Sequence, residues 1–269
     1  MKNDLFTIGN LTIHGYGLMI GIGIIAAYLL TEYRTNKRKL DSDVLLSIAV
    51  WGVVGGLIGA KLLYYITIWD EILESPKRLL DIGDGFVVYG GIIGGVLGGY
   101  LVSRVKKIPF FTYADLVLPS VALAQGFGRI GCFLAGCCYG MPTDSAFGII
   151  FTNSDFAPNG IRLVPTQLIS SGLDFLHCAL LIWAAGRIRT PGRVSALYLI
   201  FYSAGRFVLE FFRGDLIRGT VGALSTSQFI SVFIFAAGIL LWMLSPKLSA
   251  KEAAAAEAKE AATENGEER

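Results

Sequence analysis

Most of this chain consists of long apolar stretches that are separated by short polar or charged segments. Seven of them are continuously apolar rather than alternating, and each approaches the ~20 residues that a helix needs to cross a bilayer. We place these predicted helices at 14–33, 44–66, 86–104, 113–135, 166–186, 194–212 and 227–245. The pattern therefore predicts an all-α, polytopic membrane protein with seven transmembrane helices.

Basic residues cluster after every second predicted helix, and they indicate how the chain crosses the membrane. They follow the first, third, fifth and seventh helices, as Arg34, Lys37, Arg38 and Lys39, then Arg104, Lys106 and Lys107, then Arg187, Arg189 and Arg193, and then Lys247 and Lys251. Because Lys and Arg accumulate on the cytoplasmic side, we predict that the N-terminus lies outside and the C-terminus in the cytoplasm. No cleavable signal peptide is evident, so we expect the first helix to stay in the membrane.

Composition supports this interpretation. Of 269 residues, 54% are hydrophobic and 16% are charged, whereas soluble domains carry about 25% charged residues. We expect one transmembrane domain over residues 1–248, followed by a cytoplasmic tail over residues 249–269. The tail is rich in Ala, Glu and Lys and could form a short solvated helix, but it has no apolar face to bury, so we predict that it is largely disordered. We expect no nucleic-acid partner.

Polar side chains that are unusual in membrane helices are predicted to meet at one level. With the orientation above, they lie toward the outer side of six helices: His14, Tyr16, Lys61, Tyr89, Arg129, Gln167, Arg206, Glu210 and Arg213. Arg129 is the most demanding, because a charge inside a membrane helix costs at least ~2.5–3.5 kcal/mol and needs a partner or a ligand. Guanidinium groups match the oxygens of a lipid phosphate. We therefore predict a cavity near the outer leaflet that binds an anionic lipid.

These residues also have structural explanations, which the sequence leaves open. Arg206 and Glu210 are spaced i, i+4 and could pair within one helix. Arg213 could simply reach the membrane interface, and the glycine-rich start of the third helix could serve close helix packing. Asp174 and His177 lie deeper in the fifth helix, and we expect them to satisfy each other or a neighbour rather than to act in catalysis.

Three of the four cysteines, Cys132, Cys137 and Cys138, are close together in the sequence. Their C-x4-C-C spacing is not a recognised zinc pattern and has no histidine nearby, so we predict no metal site. Small apolar packing is the expected role. A disulfide on the outer side comes next, and a nucleophilic thiol is least favoured, because no general base is evident nearby.

Several short motifs follow one another along residues 10–245. They are His14-Gly15-Tyr16-Gly17, Tyr89-Gly90-Gly91, Gly128-Arg129-x-Gly131 with Gly136 and Tyr139-Gly140, Pro165-Thr166-Gln167-Leu168, and Tyr202-x-x-x-Arg206-x-x-x-Glu210-Phe211-Phe212-Arg213. In kind and in order they resemble the motifs of the prolipoprotein diacylglyceryl transferase family. The resemblance implies transfer of a diacylglyceryl group from phosphatidylglycerol, a membrane lipid, to the lipobox cysteine thiol of a secreted prolipoprotein, with release of glycerol phosphate.

By position, the resemblance implies roles for individual residues. The implied catalytic residues are Arg129, Arg206, Tyr89 and Tyr16. The implied substrate-binding residues are His14, Gly90, Gly91, Gly131, Gly140, Gln167, Tyr202, Glu210 and Arg213. No metal and no organic cofactor is implied. The expected location is the bacterial plasma (inner) membrane, with the active site toward the outer leaflet.

The chain departs from the family pattern at several polar positions. Tyr89 stands where well-known members have histidine, and Cys132, Ala135 and Cys137 replace asparagines and a glutamate. The group that takes the proton from the acceptor thiol is therefore left open, because a phenol is a poor base at neutral pH. Two alternatives remain: a divergent relative that uses the same lipid donor on another acceptor, and a non-catalytic anionic-lipid-binding or transport protein.

Overall fold

The computed structural model describes residues 4–8, 11–80, 83, 85–215 and 219–267, which form eight α-helices and three antiparallel hairpins. The helices are α1 (Gly15–Lys37), α2 (Ser42–Thr67), α3 (Trp69–Glu74), α4 (Val88–Val105), α5 (Phe110–Ala135), α6 (Thr166–Ala185), α7 (Arg193–Glu210) and α8 (Thr226–Glu267). A short 3-10 helix covers Pro76–Leu80. The hairpins pair β1 (Asp4–Ile8) with β2 (Leu11–His14), β3 (Ile149–Ile150) with β4 (Arg162–Leu163), and β5 (Thr220–Val221) with β6 (Leu224–Ser225).

Each segment that we predicted to cross the membrane forms a helix. Among the described residues, six helices are long and apolar enough for this, namely α1, α2, α4, α5, α6 and the Thr226–Lys251 part of α8. Helix α7 is not among them, since its 18 residues include Arg193, Arg206 and Glu210. The chain is therefore an all-α, polytopic membrane protein, whereas the count of seven spans and the orientation stay predictions.

The chain divides into two compact units, and neither of them begins or ends at the predicted domain boundary, residue 248. One unit comprises Met1–Thr31 and Ala114–Arg269, and the other comprises Glu32–Tyr113. In the first unit, the backbone of α8 stays helical to Glu267, through the tail that we predicted to be largely disordered. Ala, Glu and Lys are strong helix formers, which explains a helical backbone in a segment without an apolar face. The boundary at residue 248 and the disorder of the tail in solution both stay predictions.

In the Glu32–Tyr113 unit, facing glycines bring α2 and α4 into backbone contact. A Cβ added to Gly94 would lie 2.1 Å from the carbonyl oxygen of Gly55, and one added to Gly90 would lie 2.2 Å from that of Gly59. Small residues at such spacing allow membrane helices to pack closely. Packing therefore accounts for Gly90, and the substrate-binding role predicted for Gly90 and Gly91 stays a prediction.

Gly98→Ala is expected to destabilise this helix pair, because its new Cβ would lie 2.3 Å from the carbonyl oxygen of Trp51. Overpacking of this kind costs about 1–3 kcal/mol, against a gain of about 1 kcal/mol in helix propensity. Gly99→Ala is the matched control, because its Cβ would lie 3.7 Å from Cγ2 of Ile48 in ordinary contact. Denaturant unfolding in detergent compares the two variants. Equal stabilities would contradict this account of the packing.

In the first unit, a buried carboxylate joins α5 to the start of α7. Asp115 accepts hydrogen bonds from the amide of Gly192 at 2.9 Å, the amide of Ser195 at 2.7 Å and Oγ of Ser195 at 2.5 Å. A carboxylate at a helix N-terminus satisfies amides that have no partner within the helix and interacts favourably with the helix dipole. Asp115 therefore fixes the point along α5 at which α7 begins.

Candidate functional site

A cavity of about 160 Å³ lies among α5, α6 and α7. Helix α5 contributes Arg129, α7 contributes Arg206 and Tyr202, and α6 contributes Asp174 and His177. The remaining wall is mostly apolar and includes Leu173, Leu176, Leu180, Phe201 and Leu209. The cavity thus combines two cations, one acid and an apolar surface.

The two arginines lie at equal distances along their helices from a hydrogen bond that joins α5 to the start of α7. Arg129 lies fourteen residues after Asp115 on α5, and Arg206 lies fourteen residues after Gly192 on α7. Asp115 and Gly192 are hydrogen-bonded, so both helices rise by about 21 Å from the same level to their arginine. Both arginines line the same cavity, whereas their common depth in the membrane stays a prediction.

Arg129 lies partly buried near the end of α5 and interacts electrostatically with Asp174, Tyr202 and Cys132. Among the described residues, none forms a hydrogen bond or a close ion pair with its guanidinium group. A charge in an apolar helix is costly without such partners, so acceptor oxygens of a ligand would stabilise it. Arg129 is thus the cation best placed to receive a phosphate.

Arg206 is held in place by its own helix and by α8. Its Nη2 lies 2.8 Å from Oε2 of Glu210 and donates to Oγ of Ser227 at 2.9 Å. Glu210 also accepts a hydrogen bond from Oγ of Ser225 at 3.1 Å. The i, i+4 pair that the sequence left open is therefore present. Arg206 nevertheless lines the cavity, so pairing orients its guanidinium group without removing it from the site.

Arg213 follows α7 and is buried rather than extended to the interface. It donates to both carboxylate oxygens of Asp215, at 2.8 and 2.5 Å, and lies 3.8 Å from Glu210. Burial alone lowers the pKa of Arg213, but the hydrogen bonds and charge of Asp215 raise it above its ordinary value. The backbone of Arg213 pairs with that of Gly140. Arg213 thereby fastens the loop after α5, and its predicted contact with substrate stays a prediction.

Two predicted site glycines lie close to other segments of the chain. A Cβ on Gly140 would lie 2.4 Å from the carbonyl oxygen of Val164, and one on Gly131 would lie 3.2 Å from Cδ2 of Tyr16. The ring of Tyr16 therefore lies against α5, and Tyr16 interacts electrostatically with Arg129. Tyr16 does not line the cavity itself, and its predicted catalytic role stays a prediction.

The last turn of α5 and the loop that follows it bring the three cysteines together. Sγ atoms of Cys132, Cys137 and Cys138 lie within 4.8 Å of one another. Nε2 of Gln167 donates to the carbonyl oxygen of Cys137 at 2.9 Å, and Oγ1 of Thr166 donates to that of Cys138 at 3.0 Å. Gln167 is buried and holds this loop, so its predicted contact with substrate also stays a prediction.

Four other predicted site residues lie elsewhere in the chain. His14 is exposed at the end of β2 and does not line the cavity. Tyr89, Gly90 and Gly91 lie in the first turn of α4, in the Glu32–Tyr113 unit, and Tyr89 is 41% exposed. The roles predicted for these residues stay predictions.

Asp174 and His177 are ionisable residues of the cavity that sequence reasoning did not assign to the site. His177 is buried, stacks on Tyr198 with ring centroids 5.2 Å apart, and has no hydrogen-bond partner for Nε2 among the described residues. Asp174 interacts electrostatically with Arg129. The available signal was their presence as ionisable residues inside an apolar helix, which by default indicates a functional site.

Known proteins match the chain over nearly its whole length. The model of the prolipoprotein diacylglyceryl transferase family matches residues 3–244. A Clostridium tetani protein named phosphatidylglycerol–prolipoprotein diacylglyceryl transferase is 50% identical over 242 residues, which cover 90% of this chain and 97% of that protein. A Clostridium perfringens protein with the same name and the number 2 is 47% identical over 253 residues, covering 94% and 98%. The chain therefore belongs to the prolipoprotein diacylglyceryl transferase family.

Proposed function

We propose that this protein is a transferase of the bacterial plasma membrane that moves a diacylglyceryl group from phosphatidylglycerol to the lipobox cysteine thiol of a secreted prolipoprotein. Glycerol phosphate is the second product. Family membership and the names of the relatives support this donor and acceptor. The structural observation that carries the proposal is that Arg129 and Arg206, on different helices, line one cavity with an apolar wall. Such a cavity suits a phospholipid, whose phosphate and acyl chains need different surroundings.

In the proposed reaction, the two guanidinium groups bind the phosphate of the donor lipid. As the bond between the glyceryl carbon and the phosphate oxygen breaks, negative charge accumulates on the departing phosphate. Cations that are already in position stabilise this charge strongly where water is scarce. Arg206 is oriented by Glu210 and Ser227 before the lipid binds.

The acceptor thiol attacks the glyceryl carbon and must lose its proton to become an effective nucleophile. The bond from sulfur to carbon forms while the bond from carbon to oxygen breaks, and the electron pair remains on the phosphate oxygen. Besides its two arginines, the cavity is lined by a carboxylate, an imidazole and a phenol, which belong to Asp174, His177 and Tyr202. Tyr89, which occupies the position of the family's histidine, lies in the other unit.

The proposed topology has seven spans, with the N-terminus outside, the C-terminus in the cytoplasm and the cavity toward the outer leaflet. Helix α7 is the span that the six long apolar helices lack, and it is the sixth in chain order. Its 18 residues extend over about 27 Å, and its start is hydrogen-bonded to α5. Basic clusters at alternate helix ends support the orientation. The buried pairing of Arg206 with Glu210 lowers the cost of placing α7 in the membrane.

The proposal is tested with purified protein, phosphatidylglycerol labelled in its head group, and a lipobox peptide. Labelled glycerol phosphate should be released while the peptide gains the mass of a diacylglyceryl group. The same peptide with serine in place of its cysteine is the control and should gain none. Lipid turnover without peptide modification would favour a relative with another acceptor. Lipid binding without turnover would favour a non-catalytic lipid-binding protein.

Glu210→Gln is expected to lower the rate of transfer by about tenfold or more, since a hydrogen bond to a charged group contributes about 1.5–3 kcal/mol. The variant removes the ion pair at 2.8 Å that orients Arg206. Glu71→Gln is the matched control, because it removes a glutamate–arginine pair with Arg78 in which both side chains are half exposed. Exposed pairs contribute little, so this control should keep its rate. Equal rates for Glu210→Gln and wild type would contradict the positioning role.

A further inference from the structure

The turn that ends α5 brings two cysteines together through its hydrogen bonds. The amide of Cys137 donates to the carbonyl oxygen of Cys132 at 3.1 Å, and the amide of Gly136 donates to that of Phe133 at 3.2 Å. With Gly136 at a φ of 78°, these bonds form a Schellman motif. This motif usually joins two hydrophobic side chains at the positions that Cys132 and Cys137 occupy. Here it joins two thiols.

Cys138 adds a third sulfur because its backbone is left-handed. Its φ of 60° is uncommon for a residue other than glycine, and such conformations persist where the surroundings enforce them. Hydrogen bonds from Gln167 and Thr166 to the carbonyl oxygens of Cys137 and Cys138 supply that constraint. The three Sγ atoms lie within 4.8 Å of one another, and none of the three forms a disulfide.

This spacing is close to that of three thiolates on one zinc ion. Zn–S bonds of about 2.3 Å in a tetrahedral arrangement place the sulfurs about 3.8 Å apart, so the thiols need to approach by only about 1 Å. Thiolates select soft or borderline cations such as zinc over magnesium and calcium. Three protein ligands leave the fourth position open, which is typical of catalytic rather than structural zinc.

The cysteine cluster also lies near Arg129, which binds the lipid phosphate in the proposed function. Cys132 follows Arg129 by three residues and therefore lies on the same face of α5. Arg129 interacts electrostatically with both Cys132 and Cys138. A sulfur held at this cluster would therefore be near a lipid whose phosphate is bound by Arg129.

We propose that Cys132, Cys137 and Cys138 bind Zn²⁺ and that the acceptor thiol occupies the fourth coordination position as a thiolate. A thiol that coordinates zinc loses its proton, which passes to water. The zinc-bound sulfur attacks the glyceryl carbon, the carbon–oxygen bond breaks, and its electron pair stays on the phosphate oxygen. No side chain needs to act as the base for this step. The identity of the thiol rests on the proposed function, whereas the metal site does not.

The first experiment measures zinc in detergent-purified protein that has been reduced, loaded with Zn²⁺ and freed of excess metal. Wild type is expected to hold about one zinc ion per chain, and Cys132→Ala, Cys137→Ala and Cys138→Ala are each expected to lose it. Cys178→Ala is the matched control, because Cys178 is buried in the core of α6 away from the cluster. Gln167→Ala should weaken zinc binding by about tenfold or more. Wild type without zinc, or zinc retained by all three cluster variants, would overturn the site.

The second experiment replaces zinc by Co²⁺, whose visible absorption depends on its ligands. A lipobox peptide should change the spectrum, and the peptide with serine in place of cysteine should not. An unchanged spectrum with the cysteine peptide would overturn the thiol's place on the metal. Transfer by fully metal-free protein would overturn the zinc inference and leave the proposed function standing. Metal binding with the expected spectral change, but without release of glycerol phosphate, would overturn the proposed function alone.

Discussion

Arg129→Ala is expected to lower the release of glycerol phosphate by about 10²–10³-fold, the loss typical when one preorganised group that stabilises developing charge is removed. Its guanidinium group lines the cavity and has no hydrogen bond or close ion pair among the described residues. The alanine variant should therefore be at least as stable as wild type, because it removes a charge from an apolar helix. The expected signature is lost activity at unchanged or increased stability.

Two further variants make this prediction specific. Arg129→Lys keeps the charge and loses the planar pair of donors, so it should retain only a small part of the activity. Arg189→Ala removes an exposed arginine that follows α6 and should keep the wild-type rate. Head-group release and thermal unfolding are measured on the same preparations. Wild-type activity in Arg129→Ala would contradict phosphate binding by Arg129, and inactivity that accompanies unfolding would contradict the expected stability.

Asp115→Ala is expected to destabilise the first unit by about 3 kcal/mol, because two backbone amides and a hydroxyl lose their charged acceptor in a buried position. Without these hydrogen bonds, the start of α7 is no longer held at one position along α5. We therefore also expect a fall in activity, since the relative positions of Arg206 and Arg129 depend on that contact. Unfolding in denaturant and head-group release measure the two effects.

Ser195→Ala is the matched control for this contact. It removes the hydroxyl that donates at 2.5 Å and leaves both amide hydrogen bonds to Asp115 in place. Its cost should be about 1 kcal/mol, as for one ordinary hydrogen bond. If Asp115→Ala costs no more than Ser195→Ala, the carboxylate does not hold the start of α7.

The positions of the membrane helices could be predicted because their apolar stretches are long and unbroken. Helix α7 was predicted as well, although its charges make it too polar to qualify on apolarity alone. Helix α3 and the three hairpins were not predicted, since segments of two to six residues carry no usable periodicity. The helical backbone of 249–267 follows from propensity, a weak signal beside the lack of an apolar face.

For the candidate site, the sequence allows an estimate of how far along its helix each polar residue lies. Arg129 and Arg206 were expected at one level and line one cavity. Asp174 and His177 were not assigned to it, because depth along a single helix does not show which face meets a neighbouring helix. The cysteine cluster was rejected as a metal site on spacing. That spacing matched no known pattern because a helix-ending turn, rather than a regular loop, brings the sulfurs together.

The leucines that line the cavity together with the arginines have a consequence for how the reaction ends. Leu173, Leu176 and Leu180 are between 43% and 54% exposed along α6, so the cavity adjoins the surface that faces lipid. In the proposed reaction, the polypeptide that carries the diacylglyceryl group can leave sideways into the bilayer, whereas glycerol phosphate can leave only into water. The two products then occupy different phases and do not meet again at the enzyme. Partitioning of the products thereby favours the forward direction.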